Sequence, residues 1–356
     1  MCTETFPGPL PPIQPISTDT EWAGEVIDVE PVDSVTVTML CDNTIDILLV
    51  DEGPAHRLMS HPPAPVPTVA VPTFAEGRVI DFPLAQHGFS AHLSVRKGAA
   101  IHTLLFDTGI TPTGCADNLD RLGLDPAGIE AIVLSHGHFD HTAGLSGLVG
   151  RLGTAGMPVV IHPEFWSRRR IAIPGADPIE MPTTSRRGLE DAGFNVLESR
   201  RPSFLFQRSV LITGEVDRTN DFETGFPFHQ AWRDSTWEPD PLILDDQALI
   251  VNVRGKGLVV LTGCGHAGII NIVSYARRLT GIDAVYAVIG GFHLAGPLFE
   301  PRIDATCRAM QAIDPEIVVP AHCTGWRATH ALAARLPDAF MQNSVGTAYE
   351  LKAGMA

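Results

Sequence analysis

The sequence lacks any run approaching the ~20 apolar residues that cross a bilayer, and its start, MCTETFPGPLPP, lacks the basic and apolar parts of a signal peptide. Basic residues are scarce: 25 Lys and Arg stand against 41 Asp and Glu, which disfavours binding to nucleic acid or to anionic membrane. The six cysteines have no repeated spacing, as expected in a reducing compartment. These absences predict a cytoplasmic protein whose partner is a small-molecule substrate.

Proline is concentrated in residues 1–76, which hold little periodic apolar pattern. We expect them to form an extension that is part of the main domain, residues 77–356, or packed on it. Such an extension caps a pocket, forms a homodimer contact with Trp22 as an apolar anchor, or is a poorly ordered tail. Within it, VTVTML and IDILLV predict a short strand pair or one interrupted strand.

Beyond residue 87, apolar segments with the periods of strands and helices alternate. Strands are predicted at FSAHLSVRKG, AIHTLLF, IEAIVL, MPVVI, SVLIT, ALIVNV, GLVVLT, AVYAVIGG and IVVPA, and helices at CADNLDRLGL, TAGLSGLVGRL, NIVSYARRLTG, DATCRAMQAI and ATHALAARL. The result is a mixed α/β (α+β) fold. Its polar clusters follow the C-terminal ends of strands, where layered α/β proteins usually bind ligands.

One such cluster is AIVLSHGHFDHTAG, which places His136, His138, Asp140 and His141 within six residues after an apolar strand. Neutral imidazoles and a carboxylate are the ligands expected for zinc, iron or manganese. Because one tetrahedral ion rarely takes all its ligands from six residues, the pattern favours two divalent ions, with zinc expected and iron or manganese as alternatives.

HGHFDHTAG, together with the preceding FDTG, resembles the HxHxDH signature of the metallo-β-lactamase superfamily. Four further segments, with the signature itself, look like the branch named 7,8-dihydropterin-6-ylmethyl-4-(β-D-ribofuranosyl)aminobenzene 5'-phosphate synthase: LITGEVDRTNDFE, DDQALIVNVRGKGLVVLTGCGHAGIIN, VIGGFHL and PAHCTGW. The resemblance implies an αββα sandwich in a single domain, with one or two metal ions held at one edge.

It also implies a ligand set. The first metal takes His136, His138 and a third histidine from a later loop. The second metal takes Asp140, His141 and a histidine near the C-terminus, which VVPAHC identifies as His322.

Two positions depart from the family pattern. Cys264, in LTGC, stands where many members have an aspartate that bridges both metals. Its thiolate is a competent zinc ligand, although a buried free cysteine is also ordinary core packing. The third histidine of the first metal is displaced too: His266, two residues beyond Cys264, is favoured, and Asp246 in DDQAL is the rival.

Other residues are candidates for contact with substrate. His293 follows Gly290–Gly291 and is expected to orient substrate or transfer a proton, or to be structural. Glu215, Arg218 and Asp246 are weaker candidates, and a salt bridge between Glu215 and Arg218 is the alternative for that pair.

His162 and His229 are the other histidines before Cys264, and His162 is interpreted as structural or pocket-lining. Four aromatic residues predict either an apolar pocket above the metals or a satellite core: Phe165, Trp166, Trp232 and Trp237.

The predicted activity is metal-dependent hydrolysis of a small-molecule ester, lactone, amide or phosphoester by a metal-activated hydroxide that Asp140 orients. Three alternatives remain. The branch name implies a synthase-like transfer of a ribosyl phosphate onto an aromatic acid, coupled to decarboxylation. The ligand set also permits a diiron redox protein or a non-catalytic metal-binding sensor.

Overall fold

Two β-sheets packed face to face form the centre of the computed structural model, which describes residues 14–15, 26–153 and 156–354. One sheet has eight strands in the spatial order β12 (Asn195–Glu198), β9 (Pro158–Ile161), β8 (Ala131–Val133), β7 (Ala100–Phe106), β6 (Ser90–Lys97), β2 (Ser34–Cys41), β21 (Ala348–Lys352) and β3 (Ala55–His56). The other has seven, in the order β1 (Gln14–Pro15), β13 (Ser203–Leu205), β14 (Val210–Ile212), β17 (Ala248–Val253), β18 (Gly257–Thr262), β19 (Val285–Gly291) and β20 (Ile317–Ala321).

The strand period of two residues divides each sheet's side chains between two cores. On β7, Leu104 and Phe106 point into the core between the sheets, whereas Leu105 points to the outer face. On β17, Leu249 points inward and Ile250 outward. Full burial of each such side chain contributes about 1.5–3 kcal/mol, so apolar residues on both faces commit the strands to the interior of a layered fold.

Helices cover both outer faces. In the described part of the chain they are α1 (Gly114–Arg121), α2 (Phe139–Thr142), α3 (Leu145–Leu148), α4 (Arg186–Asp191), α5 (Ile269–Thr280), α6 (Ile303–Ile313) and α7 (Trp326–Arg335). Short 3₁₀ helices occur at Pro126–Gly128, Pro163–Trp166, Glu300–Arg302 and His322–Thr324. Helices α1 and α3 pack on the eight-stranded sheet, and α5, α6 and α7 pack on the seven-stranded sheet. The predicted αββα sandwich is confirmed.

A separate four-stranded sheet, here called the small sheet, lies between β9 and β17 in the chain. Its strands are β10 (Arg169–Ile171), β11 (Ile179–Glu180), β15 (His229–Arg233) and β16 (Thr236–Pro239), in the spatial order β11-β10-β15-β16. The aromatic residues predicted here pack on each other: the ring centroids of Trp232 and Trp237 are 5.2 Å apart, and those of Phe165 and Trp166 are 5.0 Å apart. Phe165 and Trp166 pack in the apolar cluster on the outer face of the eight-stranded sheet, whereas Trp232, in the small sheet, is 38% exposed.

The proline-rich region contributes a strand to the sandwich. Strand β2 pairs with β6 on one side and with β21 on the other. Residues 34–41 are therefore an interior strand of the eight-stranded sheet, and the boundary at residue 77 does not separate two hydrophobic cores. The predicted strand at IDILLV was wrong, because Asp46 accepts a hydrogen bond from the Leu48 amide and closes a turn, with Leu48 85% exposed. A hairpin of β4 (Thr68–Ala70) and β5 (Arg78–Ile80) follows. Trp22 lies outside the described residues.

The predicted helix at TAGLSGLVGRL is shorter than expected. The segment contains the end of α2 and the whole of α3, with Gly144 between them. A Cβ at Gly144 would clash with the Thr108 carbonyl. The close approach of these two loops requires glycine and interrupts the helix. None of the helices in the described ranges has the length and apolarity needed to cross a bilayer.

Candidate metal centre

Loops at the C-terminal ends of β8, β18, β19 and β20 meet at one edge of the sandwich. The loop after β8 carries the HxHxDH residues, and that after β18 carries Cys264 and His266. His293 follows β19, and His322 follows β20. Strands β18, β19 and β20 run parallel, so their carboxyl ends lie side by side. Residues far apart in sequence therefore converge.

Three histidines form a first cluster, consisting of His136, His138 and His266, whose ligand atoms all lie within 4.8 Å of one another. His136 Nε2 and His138 Nδ1 are 3.0 Å apart, and the His266 ring centroid is 4.7 Å from that of His136. The geometry brings together the three residues favoured for the first metal, including His266.

A second cluster contains Asp140, His141, Cys264 and His322, again with ligand atoms within 4.8 Å of one another. His141 Nε2 lies 3.2 Å from Cys264 Sγ, and His322 Nε2 lies 3.3 Å from Asp140 Oδ2. These are the residues expected at the second metal, with Cys264 added.

Cys264 belongs to a further group as well. Its Sγ lies within 4.8 Å of ligand atoms of His266 and His293. One thiol is therefore close both to His141 in the second cluster and to His266 in the first. This is the position that a bridging ligand would occupy.

The chemistry of the donors fits divalent cations. Burial lowers the pKa of His136, His138 and His266 well below that of an ordinary histidine, so their imidazoles are neutral, which is the form that binds metal. Both ring nitrogens of His266 are buried without a hydrogen-bond partner in the described ranges. Buried polar atoms are normally paired, so one of these nitrogens is available to hold an ion.

Charge in the second cluster also attracts a cation. Burial opposes ionisation of Asp140, but His141 and His322 outweigh it and lower the pKa of this carboxyl below its usual range. Burial would lower the pKa of His141, yet the carboxylates of Asp107 and Asp140 raise it to about 9. The position of His141 Nε2 thus favours positive charge. Burial raises the pKa of the Cys264 thiol, so its thiolate form requires a cation beside it.

Asp107, directly after β7, orients two of the histidines. Its Oδ2 lies 2.6 Å from His141 Nδ1 and accepts the Ser135 hydroxyl at 2.7 Å. Because that hydroxyl donates to Asp107, its oxygen accepts from His136 Nδ1 at 2.9 Å. These contacts turn Nδ1 of both rings toward Ser135 and Asp107, and leave Nε2 of both rings directed at the clusters. At Gly263 a Cβ would clash with Ser135 and Asp107, so glycine lets the β18 loop approach them.

The loop of His138 is held from the other side. Asp245 accepts the Gly137 amide at 2.8 Å and forms a buried ion pair with Arg169 on β10, with a 2.9 Å contact to Nη1. His138 Nε2 lies 3.0 Å from Nε2 of His229 on β15. The small sheet thus contacts the first cluster directly.

The loop of His322 is fixed by the N-terminal region. Asp42, one residue beyond β2, accepts the His322 amide at 2.7 Å, and Asn43 donates to the His322 carbonyl at 2.8 Å. His87 lies at the rim, with its side chain 64% exposed and its Nε2 3.9 Å from Asp140 Oδ2. The exposed histidine shows that this side of the centre opens to solvent.

Several predicted residues do not join the clusters. Asp246 accepts the Ala267 amide at 2.8 Å and so supports the loop of His266, and burial raises its pKa to about 6. Glu215 lies 3.3 Å from Arg200, not paired with Arg218, and Arg218 donates to backbone carbonyls, at 2.9 Å to that of Val216.

Of the other predicted histidines, His162 is buried and His293 is half-buried. His162 accepts the Glu164 amide at 3.1 Å and caps a 3₁₀ helix, which is the predicted structural role. His293 has a left-handed backbone (φ 44°), and its ring centroid is 4.1 Å from that of His266.

Sequence reasoning did not assign the supporting residues, which are Asp42, His87, Asp107, Arg169, His229 and Asp245. Asp107 had a signal, since FDTG accompanies the signature. Of the two aspartates in DDQAL, only Asp246 was a candidate in the sequence analysis, although its neighbour Asp245 holds the HxH loop. The remaining residues carry no local pattern that distinguishes them.

A cavity of about 670 Å³ adjoins the second cluster. Its lining includes His322, Asn43 and Thr44, with Trp326 and His330 of α7. Trp326 is 76% exposed, and its ring centroid is 4.2 Å from that of His330. The volume suits a small organic molecule.

Comparisons with known proteins agree with this geometry. A family model described as the metallo-beta-lactamase superfamily matches residues 102–322. Two Methanocaldococcus jannaschii proteins are similar: one named 7,8-dihydropterin-6-methyl-4-(beta-D-ribofuranosyl)-aminobenzene-5'-phosphate synthase, 29% identical over 270 residues (74% of this chain, 89% of that protein), and an uncharacterized protein, 30% identical over 254 residues (70% and 88%).

Among solved structures, a metal-dependent hydrolase of the beta-lactamase superfamily superposes with a TM-score of 0.65 at 22% identity, covering 89% of this chain and 99% of that one. This likeness supports the fold. The match of the family model over more than half of the chain shows that the protein belongs to the metallo-β-lactamase superfamily.

Proposed function

We propose that the protein is a hydrolase that uses two divalent cations, with zinc expected, to cleave a small-molecule ester, lactone, amide or phosphoester. The observation that carries the proposal is the convergence of seven buried or largely buried donor side chains into two adjoining clusters. The first cluster would hold one ion and the second cluster the other. Decayed scaffolds usually lose ligands, so the complete set favours an enzyme over a sensor.

A bound divalent cation supplies Lewis acidity, which lowers the pKa of a coordinated water from 15.7 toward roughly 7. The protein's residues supply the rest. Asp140, ionised at neutral pH, would hold a cation and orient the attacking oxygen. Cys264 lies between the clusters and would bridge them as a thiolate. His293, beside His266 and with Nδ1 buried and unpaired in the described part of the chain, would orient the substrate or transfer a proton.

The cavity beside His322 would receive the rest of the substrate. Trp326 offers an exposed ring for an apolar or aromatic group, and Asn43 and Thr44 offer polar contacts. The net charge of −16 disfavours nucleic acids as substrates, because a negative surface repels the phosphate backbone. A small molecule is consistent with both observations.

The proposal is tested by metal analysis of the purified protein, followed by assays with generic esters, lactones and bis-phosphodiesters. We expect two divalent ions per chain, turnover of at least one class, and loss of turnover both in excess chelator and in His138→Ala. Full activity in chelator, or a wild-type protein that takes up no metal, would refute it. Two iron ions with redox activity and no hydrolysis would favour the diiron alternative.

A second function is supported by the similarity to the synthase over 74% of the chain. In that case the same cations would steady negative charge while a ribosyl phosphate is transferred onto an aromatic acid with loss of carbon dioxide. Incubation with an activated ribosyl phosphate and a carboxylated aromatic amine, with carbon dioxide as the readout, separates the two. Carbon dioxide release without hydrolysis of the generic substrates would replace the hydrolase proposal with the synthase.

A further inference from the structure

His138 meets a second buried histidine on the side facing away from the first cluster. His138 Nε2 and His229 Nε2 are 3.0 Å apart, and both residues are buried. Two imidazole nitrogens at this distance share one proton, so one nitrogen donates and the other accepts. Which of them donates determines the protonation of His138 at its other nitrogen.

The contacts of Asp240 with His229 determine which of the two Nε2 atoms donates. His229 Nδ1 lies 3.0 Å from the Asp240 carbonyl oxygen and 3.3 Å from its carboxylate Oδ2. Both oxygens are acceptors, so His229 Nδ1 carries a proton and donates it. With Nδ1 as the donor to Asp240, His229 Nε2 is the acceptor of the hydrogen bond from His138 Nε2.

His138 is thereby protonated at Nε2 and unprotonated at Nδ1. Nδ1 is the atom that faces His136 Nε2 at 3.0 Å, inside the first cluster. We propose that His229, held by Asp240, is a positioning residue that keeps His138 in the tautomer whose Nδ1 binds the cation of the first cluster. This inference rests on the proposed function, because it concerns the affinity of that metal site.

The anchor of this pair lies in the small sheet. Asp240 contacts Arg233 Nη2 at 3.0 Å and Arg169 Nε at 3.5 Å, and Arg169 also pairs with Asp245, which holds Gly137. Removing these contacts would free both the ring of His138 and its backbone loop. The affinity for one cation is therefore set by a segment outside the two main sheets.

The test measures zinc binding by chelator competition, with stoichiometry from elemental analysis, in the full-length protein. Methionine in His229→Met has a similar length but no comparable acceptor, and we expect the zinc affinity of the first cluster to fall 10–100-fold. His229→Gln offers a carbonyl to His138 and an N–H to Asp240, so its affinity should stay within about threefold of wild type. His102→Met, at the far end of β7, is the matched control and should bind like wild type.

Equal zinc affinity in His229→Met and wild type would overturn the inference, as would a loss in His229→Gln as large as that in His229→Met. If wild type bound no zinc, the proposed function itself would fail first. Neutron diffraction from zinc-loaded wild type provides a second measurement that needs no variant. Deuterons on His138 Nε2 and His229 Nδ1 are expected, and one on His229 Nε2 would refute the assignment.

Discussion

Two supports hold the HxHxDH loop, and they come from different parts of the molecule. On one side, Asp107 and Ser135, from the ends of two neighbouring strands, orient His136 and His141. On the other side, the small sheet supplies His229 and Arg169, which contact His138 and the carboxylate that holds Gly137. The first support belongs to the sandwich, whereas the second is added to it.

The difference lies in what each support depends on. Asp107 and Ser135 follow paired strands, so any sequence that forms β7 and β8 brings them within hydrogen-bond distance. His229 reaches His138 only if the small sheet folds against the edge of the sandwich. The second support can therefore change while the sandwich is kept, so under the proposed function it is a place where metal affinity can be tuned.

The largest effect is expected when a ligand is removed on either side. His138→Ala and His141→Ala should each lower kcat/KM by roughly 10³-fold, because the several kcal/mol of charge stabilisation by a cation are lost. Steady-state kinetics with the best substrate found measure this, and His102→Ala, remote from the clusters, should retain activity. Comparable activity in the ligand variants would show that the clusters do not carry the reaction.

The next effect distinguishes the two supports. In Asp107→Asn, an amide N–H would replace the acceptor at His141 Nδ1 and favour the tautomer protonated at Nε2. Since Asp107 also orients His136 through Ser135, both zinc sites should weaken, by roughly 10–100-fold. Chelator competition measures both sites, and Asp120→Asn, an exposed carboxyl on α1, is the control. A loss confined to one site would contradict the shared support.

Cys264→Ser tests the junction of the two clusters. A serine hydroxyl is a much poorer zinc ligand than a thiolate, so occupancy at the second cluster should fall about tenfold, with a smaller loss at the first if the thiolate bridges. Elemental analysis after dialysis gives the stoichiometry. Cys307→Ser, also buried but on α6, should keep both ions. Normal zinc content in Cys264→Ser would identify this cysteine as core packing.

The smallest expected effect is on folding stability, and it comes from a residue that belongs to neither support. Burial lowers the pKa of His92 on β6 to about 4, below its unfolded value of about 6.5. Between these values the unfolded chain binds more protons, so this contribution to stability is full above pH 6.5 and is lost as the pH falls toward 4. At pH 5.5 the loss is about 1.4 kcal/mol relative to pH 8.

Urea denaturation at the two pH values measures this loss. His92→Leu should flatten the dependence by that amount while leaving zinc affinity unchanged. An identical pH dependence in wild type and His92→Leu would show that His92 titrates normally in the folded protein.

Local pattern was sufficient for the parts of the fold that repeat with a short period. Strands such as β7, β17 and β18 were predicted because they carry apolar residues on both faces. Such strands bury both faces in the interior of a layered fold. IDILLV failed for the opposite reason: it has the composition of a strand, yet Asp46 closes a turn and no neighbouring strand pairs with it. The helix before Leu152 was interrupted by Gly144, whose contact with Thr108 comes from a distant loop.

The donors of the site were visible in sequence because metal ligands are restricted to a few residue types at recognisable spacings. This signal identified His136, His138, Asp140 and His141 together, and the resemblance to the superfamily pointed to His322. The choice between His266 and Asp246 needed coordinates, since each lies next to an apolar strand in the sequence. In the structure His266 joins the first cluster, while Asp246 turns to the amide of Ala267.

By itself, the sequence determined the αββα class, the edge that carries the donors and the identity of the HxHxDH group, because each depends on periodicity or on residues close together in the chain. Only the tertiary structure decided that Cys264 lies between two clusters, and that His229 lies against His138. Those relations are hydrogen bonds and contacts between residues about 90 or more positions apart. No local pattern encodes such distances, since they exist only after the sheets have packed.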